Sequence, residues 1–262
     1  MWRTPEELVT IGFAQTRVVM INEFHNGYLR CVRTRVIGKR ILPTAHQAGV
    51  RHFAMEALHT RFAEEANQRR TMPEVKQGYL AQPDMRALIQ TALDLGWTLI
   101  PYEADFDKTP TELAQKGMMS PEVTNWREGA QAKNIIHALQ MLPPDAKLLV
   151  WCGNGHHTKE LLHEQMIFRE GKFIPKPENE PDWTPMGYLF KHMSGIDPFT
   201  IHQEVLFTPH LPEKLLEECK ADIEAFGGTA GFLKEEVPHP SLHLFASHSG
   251  DAFVFSTDNV ME

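Results

Sequence analysis

Short apolar runs alternate with helical periodicities through the first half of the chain. That order yields a parallel sheet covered by helices and places the protein in the α/β class. The first predicted strand runs from Arg17 to Ile21. A helical stretch from Val32 to Ala48 follows, expected to be irregular or split at Gly38 and Pro43. Gly49-Val50-Arg51 turns into a second strand, His52 to Met55, which ends at Glu56. Residues 57 to 82 are polar and predict a helix and a loop. Pro83 then opens a helix whose apolar face is Met85, Leu88, Ile89, Ala92 and Leu93. Gly96 stops it, and Trp97 to Ile100 forms a third strand leading to Tyr102 and Glu103. Ser120-Pro121-Glu122 caps a second long helix that reaches Leu142, before Pro143-Pro144, and Lys147 to Cys152 is strand four.

Beyond residue 166 the pattern changes. Residues 169 to 185, rich in Pro, Glu and Lys, read as an excursion or flexible loop. Met186 to Lys191 and Phe199 to Phe207 predict strands, and Pro212 to Phe226 a helix closed by Gly227-Gly228. Gly231 to Val237 and Leu242 to Phe255 are strand-like. The expected organisation is an α/β domain over 1–210, with a β-rich extension over 211–262 (a helix and strands) packed on it. No internal repeat interrupts this plan.

Each early strand delivers polar groups at its carboxyl end: Glu23 and His25, then Glu56, then Tyr102 and Glu103, then Asn154, His156 and His157. In open α/β sheets ligands bind at those ends. His25 or His156 could take a proton from water or an alcohol, with Glu23 or Glu56 orienting the ring. Clustered carboxylates also raise one another's pKa, which would keep one as a general acid. Alternatively His25, His156 and Glu56 could hold a divalent metal that activates water. His156, Glu160 and His163 are spaced to share a helical face, but no His-Glu-x-x-His stands here. No Gly-x-Ser-x-Gly elbow or complete phosphate loop is present. Cys152 reads as buried filler. A strand-end glutamate such as Glu56 also serves simply to cap a following helix, and most of the 14 histidines must be structural, His46, His59, His137 and His239 among them.

A net charge of −8 argues against a nucleic-acid partner. Three widely spaced cysteines without a Cys-x-x-Cys read as free thiols of a reducing compartment. No signal-peptide core and no membrane-spanning apolar run stand in the chain, so a cytoplasmic location and no membrane partner are expected.

The motifs resemble those of the erythromycin esterase and ChaN-like superfamily, to which Tiki-type proteases are distantly related. The resemblance rests on Asn22-Glu23-Phe24-His25 after a strand, on Arg30, Arg33 and Arg35, and on Gly49-Val50-Arg51 leading to Glu56. It continues in the run from Arg127-Glu128 to Asn134-Ile135, and in Trp151-Cys152-Gly153-Asn154-Gly155-His156. It covers residues 16 to 165, and Asn22 stands where the family carries glycine. The resemblance implies a three-layer α/β/α fold with a mainly parallel sheet. It implies hydrolysis of an ester or lactone of a small molecule, with His25 as general base and Glu23 and Glu56 as its partners. His156 would be a second essential imidazole, and Arg127 a group that stabilises oxyanion charge or forms a salt bridge on its helix. Arg30, Tyr102, Glu103, Asn154 and His157 are candidates for substrate contact. No cofactor is required in this reading. The ChaN branch implies instead a haem-binding protein, which Tyr28 and the histidines would suit, and the Tiki relation a metal-dependent peptidase. A non-catalytic interaction domain is the remaining alternative.

Overall fold

The computed structural model describes residues 1–26, 29–30, 32–117, 120–161, 166–169, 172–178, 180–205, 213–243 and 250–257. Seven strands form one sheet: β1 (Val18–Glu23), β2 (Val50–Met55), β3 (Thr98–Pro101), β4 (Lys147–Gly153), β5 (Phe199–Val205), β6 (Thr229–Leu233) and β7 (Ala252–Ser256). Their order is β6-β7-β5-β1-β4-β2-β3, and every pairing is parallel except β6 with β7. β1 therefore lies mid-sheet, with all six of its residues buried. A strand covered on both faces favours apolar residues at every position, which is why Val18 to Ile21 run without alternation before the polar Asn22 and Glu23 at its end.

Among the described residues, and apart from the single turn Thr111–Ala114, the helices are α1 (Pro5–Gln15), α2 (Val32–Gln47), α3 (Thr60–Arg69), α4 (Pro83–Asp94), α5 (Pro121–Met141), α6 (Met186–Ser194) and α7 (Glu213–Ala225). Leu8, Ile37, Ile41 and Leu88 from α1, α2 and α4 pack with Val19, Ile21, Leu149 and Trp151 on one face. Ala132, Ile135 and Phe190 from α5 and α6 pack with Val18, Met20 and Val150 on the other. Farther along, Cys219 and Ile223 of α7 meet Phe232, Phe253 and Phe255. The result is the three-layer α/β/α arrangement with a mainly parallel sheet, and the carboxyl-terminal strands extend that same sheet. No helix among the described residues is long and apolar enough to cross a membrane.

Several local expectations change. α1 had not been read from the pattern, although its start is written in the sequence. Thr4 accepts from Glu7 N, Glu7 reaches back to the Thr4 backbone, and Pro5 occupies the first turn. α2 runs unbroken through Gly38 and Pro43. Pro43 cannot donate to the carbonyl of Lys39, which is exposed to water, so the lost bond costs little. Met186–Ser194 is a helix rather than a strand. Its apolar residues Met186, Leu189 and Phe190 follow helical spacing, and Gly195 ends it at φ 71°. Within the expected loop, Lys172–Pro175 pairs antiparallel with Met166–Arg169. Among the described residues of the tail, 229–233 and 252–256 are strand. His156 and Glu160 lie in a turn and a bend, not on a helix, and His163 lies outside the described residues.

Gly38 is the contact that seats α2 on the sheet, since a Cβ there would stand 2.5 Å from the Trp151 ring. Gly38→Ala is therefore expected to lower stability by roughly 1–3 kcal/mol. Gly129→Ala, on α5 with nothing within 4 Å of the added carbon, should be neutral or stabilising by up to about 1 kcal/mol. Urea midpoints of the two variants check the pair, and equal effects would contradict the close approach.

Candidate active site

Register brings the polar strand ends together. Glu23 of β1 pairs with Gly153 of β4, and Met55 of β2 lies opposite both Trp151 of β4 and Pro101 of β3. Glu23, Glu56, Glu103 and the turn carrying His156 thus emerge along one edge of the sheet. Glu23, Glu56, Ala57, Tyr79, Arg127, Gly153 and His156 line a cavity of about 340 Å³ there.

Two charge networks, one on each side of the sheet, meet at this cavity. On the α2 side, Glu23 is 1% exposed and Arg35 equally so. Arg35 Nε donates to Glu23 Oε2 at 2.9 Å and its Nη2 to Oε1 at 3.0 Å. This forked pairing fits guanidinium to carboxylate and holds both rigidly. The Tyr79 hydroxyl donates to Glu23 Oε2 at 2.9 Å, and Arg35 Nη1 donates to Asp84 at 2.7 Å. Burial pushes the Tyr79 phenol well up, assisted by Glu23 and Glu56, so it stays a hydroxyl.

On the α5 side, Arg127 clamps Glu103 through Nε at 2.8 Å and Nη2 at 2.6 Å, and the same Nη2 donates to Glu56 Oε1. Glu56 Oε2 accepts from the Gly153 N–H at 2.6 Å. Burial pushes the Glu56 carboxyl up, but His156, Arg127 and the Gly153 N–H outweigh it and hold its pKa at about 2. Ala57 turns the chain at φ 64°, a left-handed conformation that costs a non-glycine residue about 1–2 kcal/mol. The strain sits at the cavity wall, held by the bonds of its neighbour Glu56.

His156 lies between two carboxylates. Its Nε2 is 3.7 Å from Glu56, and its Nδ1 is 2.5 Å from Glu128 Oε1, close in charge though off the line of a hydrogen bond. Burial opposes its charge, yet Glu56 and Glu128 prevail and raise its pKa to about 9. At neutral pH it is an imidazolium, a donor rather than the base that an ordinary imidazole could be. Glu128 is wholly buried and also accepts from Trp183 Nε1 at 3.0 Å and Met186 N at 2.6 Å. Gly155 stands at φ 79° with the Trp183 ring where a Cβ would go, so the turn presenting His156 requires glycine.

Four of the residues singled out from the sequence, Glu23, Glu56, Arg127 and His156, line the cavity, and Glu103 supports it through Arg127. Of the substrate-contact candidates, Tyr102, Glu103, Asn154 and His157 do not line it. Tyr102 is core, with its hydroxyl donated to the Trp151 carbonyl at 2.7 Å. His157 is 1% exposed, 3.1 Å from His202, and burial pushes its pKa well down. Asn154 accepts from Asn22 Nδ2 at 2.9 Å. The side chains of His25 and Arg30, and Tyr28 altogether, lie outside the described residues. The backbone carries His25–Asn26 just past the end of β1. Glu128, Tyr79 and Asp84 are site residues that the strand-end pattern does not reveal. Only Glu128 carried a signal, as the acidic neighbour of Arg127.

A metal does not fit the described groups. No three His, Cys, Asp or Glu side chains among them gather in a way that could hold an ion. Of the three groups that the metal reading uses, Glu56 is paired with Arg127 and His156 lies between Glu56 and Glu128, while the side chain of His25 lies outside the described residues.

No family model and no curated sequence matches the chain. Solved structures do match. An erythromycin esterase mutant, EreC, in its open conformation aligns over 99% of this chain and 98% of its own, with TM-score 0.59 and 11% identity. An effector domain of a MARTX toxin from Vibrio vulnificus aligns with TM-score 0.43 at 16% identity, over 77% of this chain and 36% of that one. The C-terminal region of Pasteurella multocida toxin aligns with TM-score 0.43 at 13% identity, over 88% and 36%. The chain thus spans about a third of the toxin chains but nearly all of the esterase. At such identities the esterase likeness shows the fold: this chain has the α/β architecture of that enzyme.

The charge balance predicts how stability varies with pH. His156 has a folded pKa of about 9 against an ordinary 6.5, so its contribution is full below 6.5 and lost as pH rises through 9. Glu56, lowered from 4.5 to about 2, contributes fully above 4.5 and loses its contribution as pH falls towards 2. Urea unfolding should therefore weaken by roughly 2–4 kcal/mol between pH 6.5 and 9.5, and His156→Gln should flatten that slope. A wild-type slope that His156→Gln leaves intact would remove the imidazolium from the account.

Proposed function

We propose that the protein hydrolyses an ester or lactone of a small molecule in the cavity at the strand ends. The observation that carries this reading is the pairing of an imidazolium, His156, with a guanidinium, Arg127, on the wall of one cavity. Two cations facing a substrate carbonyl favour the oxyanion that forms when water attacks it. The esterase-like fold supports the same reading.

His25 is the proposed base, set by the backbone two residues beyond Glu23. It takes a proton as the water oxygen bonds to the carbonyl carbon. The tetrahedral oxyanion is held by Arg127 and His156. The bond to the alkoxy oxygen then breaks, and that oxygen takes a proton from the His25 imidazolium or from His156, leaving acid and alcohol. Glu56 and Glu128 keep His156 charged for this step, and Glu23 with Arg35 fixes the end of β1, two residues before His25 in the chain. No metal enters this scheme.

Screening small esters and lactones tests it. His25→Ala and His156→Gln are each expected to lower kcat/KM at least about 100-fold, with no effect of chelators on the wild type. The rate should rise as the base deprotonates and fall again as His156 loses its proton near pH 9. Hydrolysis at the wild-type rate in His25→Ala, or abolished by chelators, would overturn the reading.

A further inference from the structure

Beside the reaction cavity lies a larger one, about 690 Å³, whose walls adjoin those of the first. Ala57 lines the smaller cavity, and the next three residues, Leu58, His59 and Thr60, line the larger. Arg127 lines the smaller, and Glu103, the carboxylate it clamps, lines the larger. The Glu56–Arg127–Glu103 bridge therefore contributes side chains to the walls of both. The larger cavity falls in the size range of small-molecule sites, and its lining mixes apolar and polar groups as such sites do. Ile100, Pro101, Ala104 and Ala138 form its apolar wall. Phe106 stands at it 38% exposed, braced by the Trp126 ring at 5.9 Å, a large apolar group that water leaves unsatisfied.

We infer that this second cavity is a subsite for the non-reacting part of the substrate, and that this part is a largely apolar group without negative charge. The cavity itself makes the site, and the charge at its rim decides which ligands it rejects. Glu103 is held by Arg127 and Asp105 by Lys108 at 2.8 Å, so these charges offset in pairs, and the carboxylate of Asp107 is the charge of the lining that an anion would meet. A group lodged here reaches the reaction cavity across Arg127, so its binding acts on a side chain that holds the oxyanion. Binding of remote groups is what enzymes use to fix the reacting atoms. The role as a subsite rests on the proposed hydrolysis, but the capacity to bind does not.

Naphthylmethylammonium and naphthoate, titrated into the full chain and followed by amide NMR, separate the two. The ammonium probe is expected to shift amides of 58–60 and 104–108, and to bind at least about tenfold more tightly than naphthoate. Ala138→Trp should abolish that binding, and Asp107→Lys, an exposed change that keeps the fold, should erase the charge preference. Binding should persist in His156→Gln, so a failed hydrolase reading and a failed subsite are told apart. Shifts elsewhere, equal or tighter binding of naphthoate, no shift at millimolar probe, or binding unaffected by both substitutions would each overturn the inference. If the chain cleaves acetate esters, Asp107→Lys should lower kcat/KM severalfold for a naphthylmethylammonium-bearing ester and leave methyl acetate unchanged. Equal effects on both esters would sever the cavity from the reaction.

Discussion

Buried carboxylates at the ends of parallel strands must be balanced by cations, and the architecture of the site follows from that constraint. An isolated carboxylate in a low-dielectric interior is too costly to keep charged. Here each cation bridges two acids: Arg35 holds Glu23 and Asp84, Arg127 holds Glu56 and Glu103, and His156 lies against Glu56 and Glu128. Removing one member of such a set typically costs 3–5 kcal/mol, because its partners are left buried and unpaired. The networks draw on α2, α4 and α5 as well as on the strand ends, so they also fix how both helical layers sit on the sheet.

The same balance sets the chemistry. The three cations serve five acids, and the surplus of negative charge is what keeps His156 protonated despite its burial. A ring so placed donates and cannot accept, so in the proposed hydrolysis the base is another group. Glu56 in turn is held ionised, so it serves as a fixed counter-charge rather than an acid. Stability and reactivity therefore depend on the same contacts.

Much of this was legible in the sequence, for physical reasons. Apolar runs followed by acids mark parallel strands that end at a ligand edge, and they located Glu23, Glu56, Glu103 and His156 without any knowledge of pairing. Tyr102 and His157 followed the same rule yet turn into the core, because the residue just past a strand can face either layer and only packing decides which. Glu128 was hidden by its position beside Arg127. Both project from one turn of α5, and nothing local says that the second is wholly buried against the His156 turn. Tyr79 and Asp84 come from a polar stretch and a helix start whose proximity to Glu23 arises only when α4 docks. The helix at Met186–Ser194 was mistaken for a strand because a short apolar run fits both periods.

The central claim is that the cavity holds a protonated His156 at neutral pH, and an NMR titration of its imidazole tests that most directly. The account predicts a midpoint near pH 9, moving down in Glu128→Gln. A midpoint at or below 6.5 would contradict it, leaving a neutral ring between two acids and Arg127 as the one cation among the described residues of the lining.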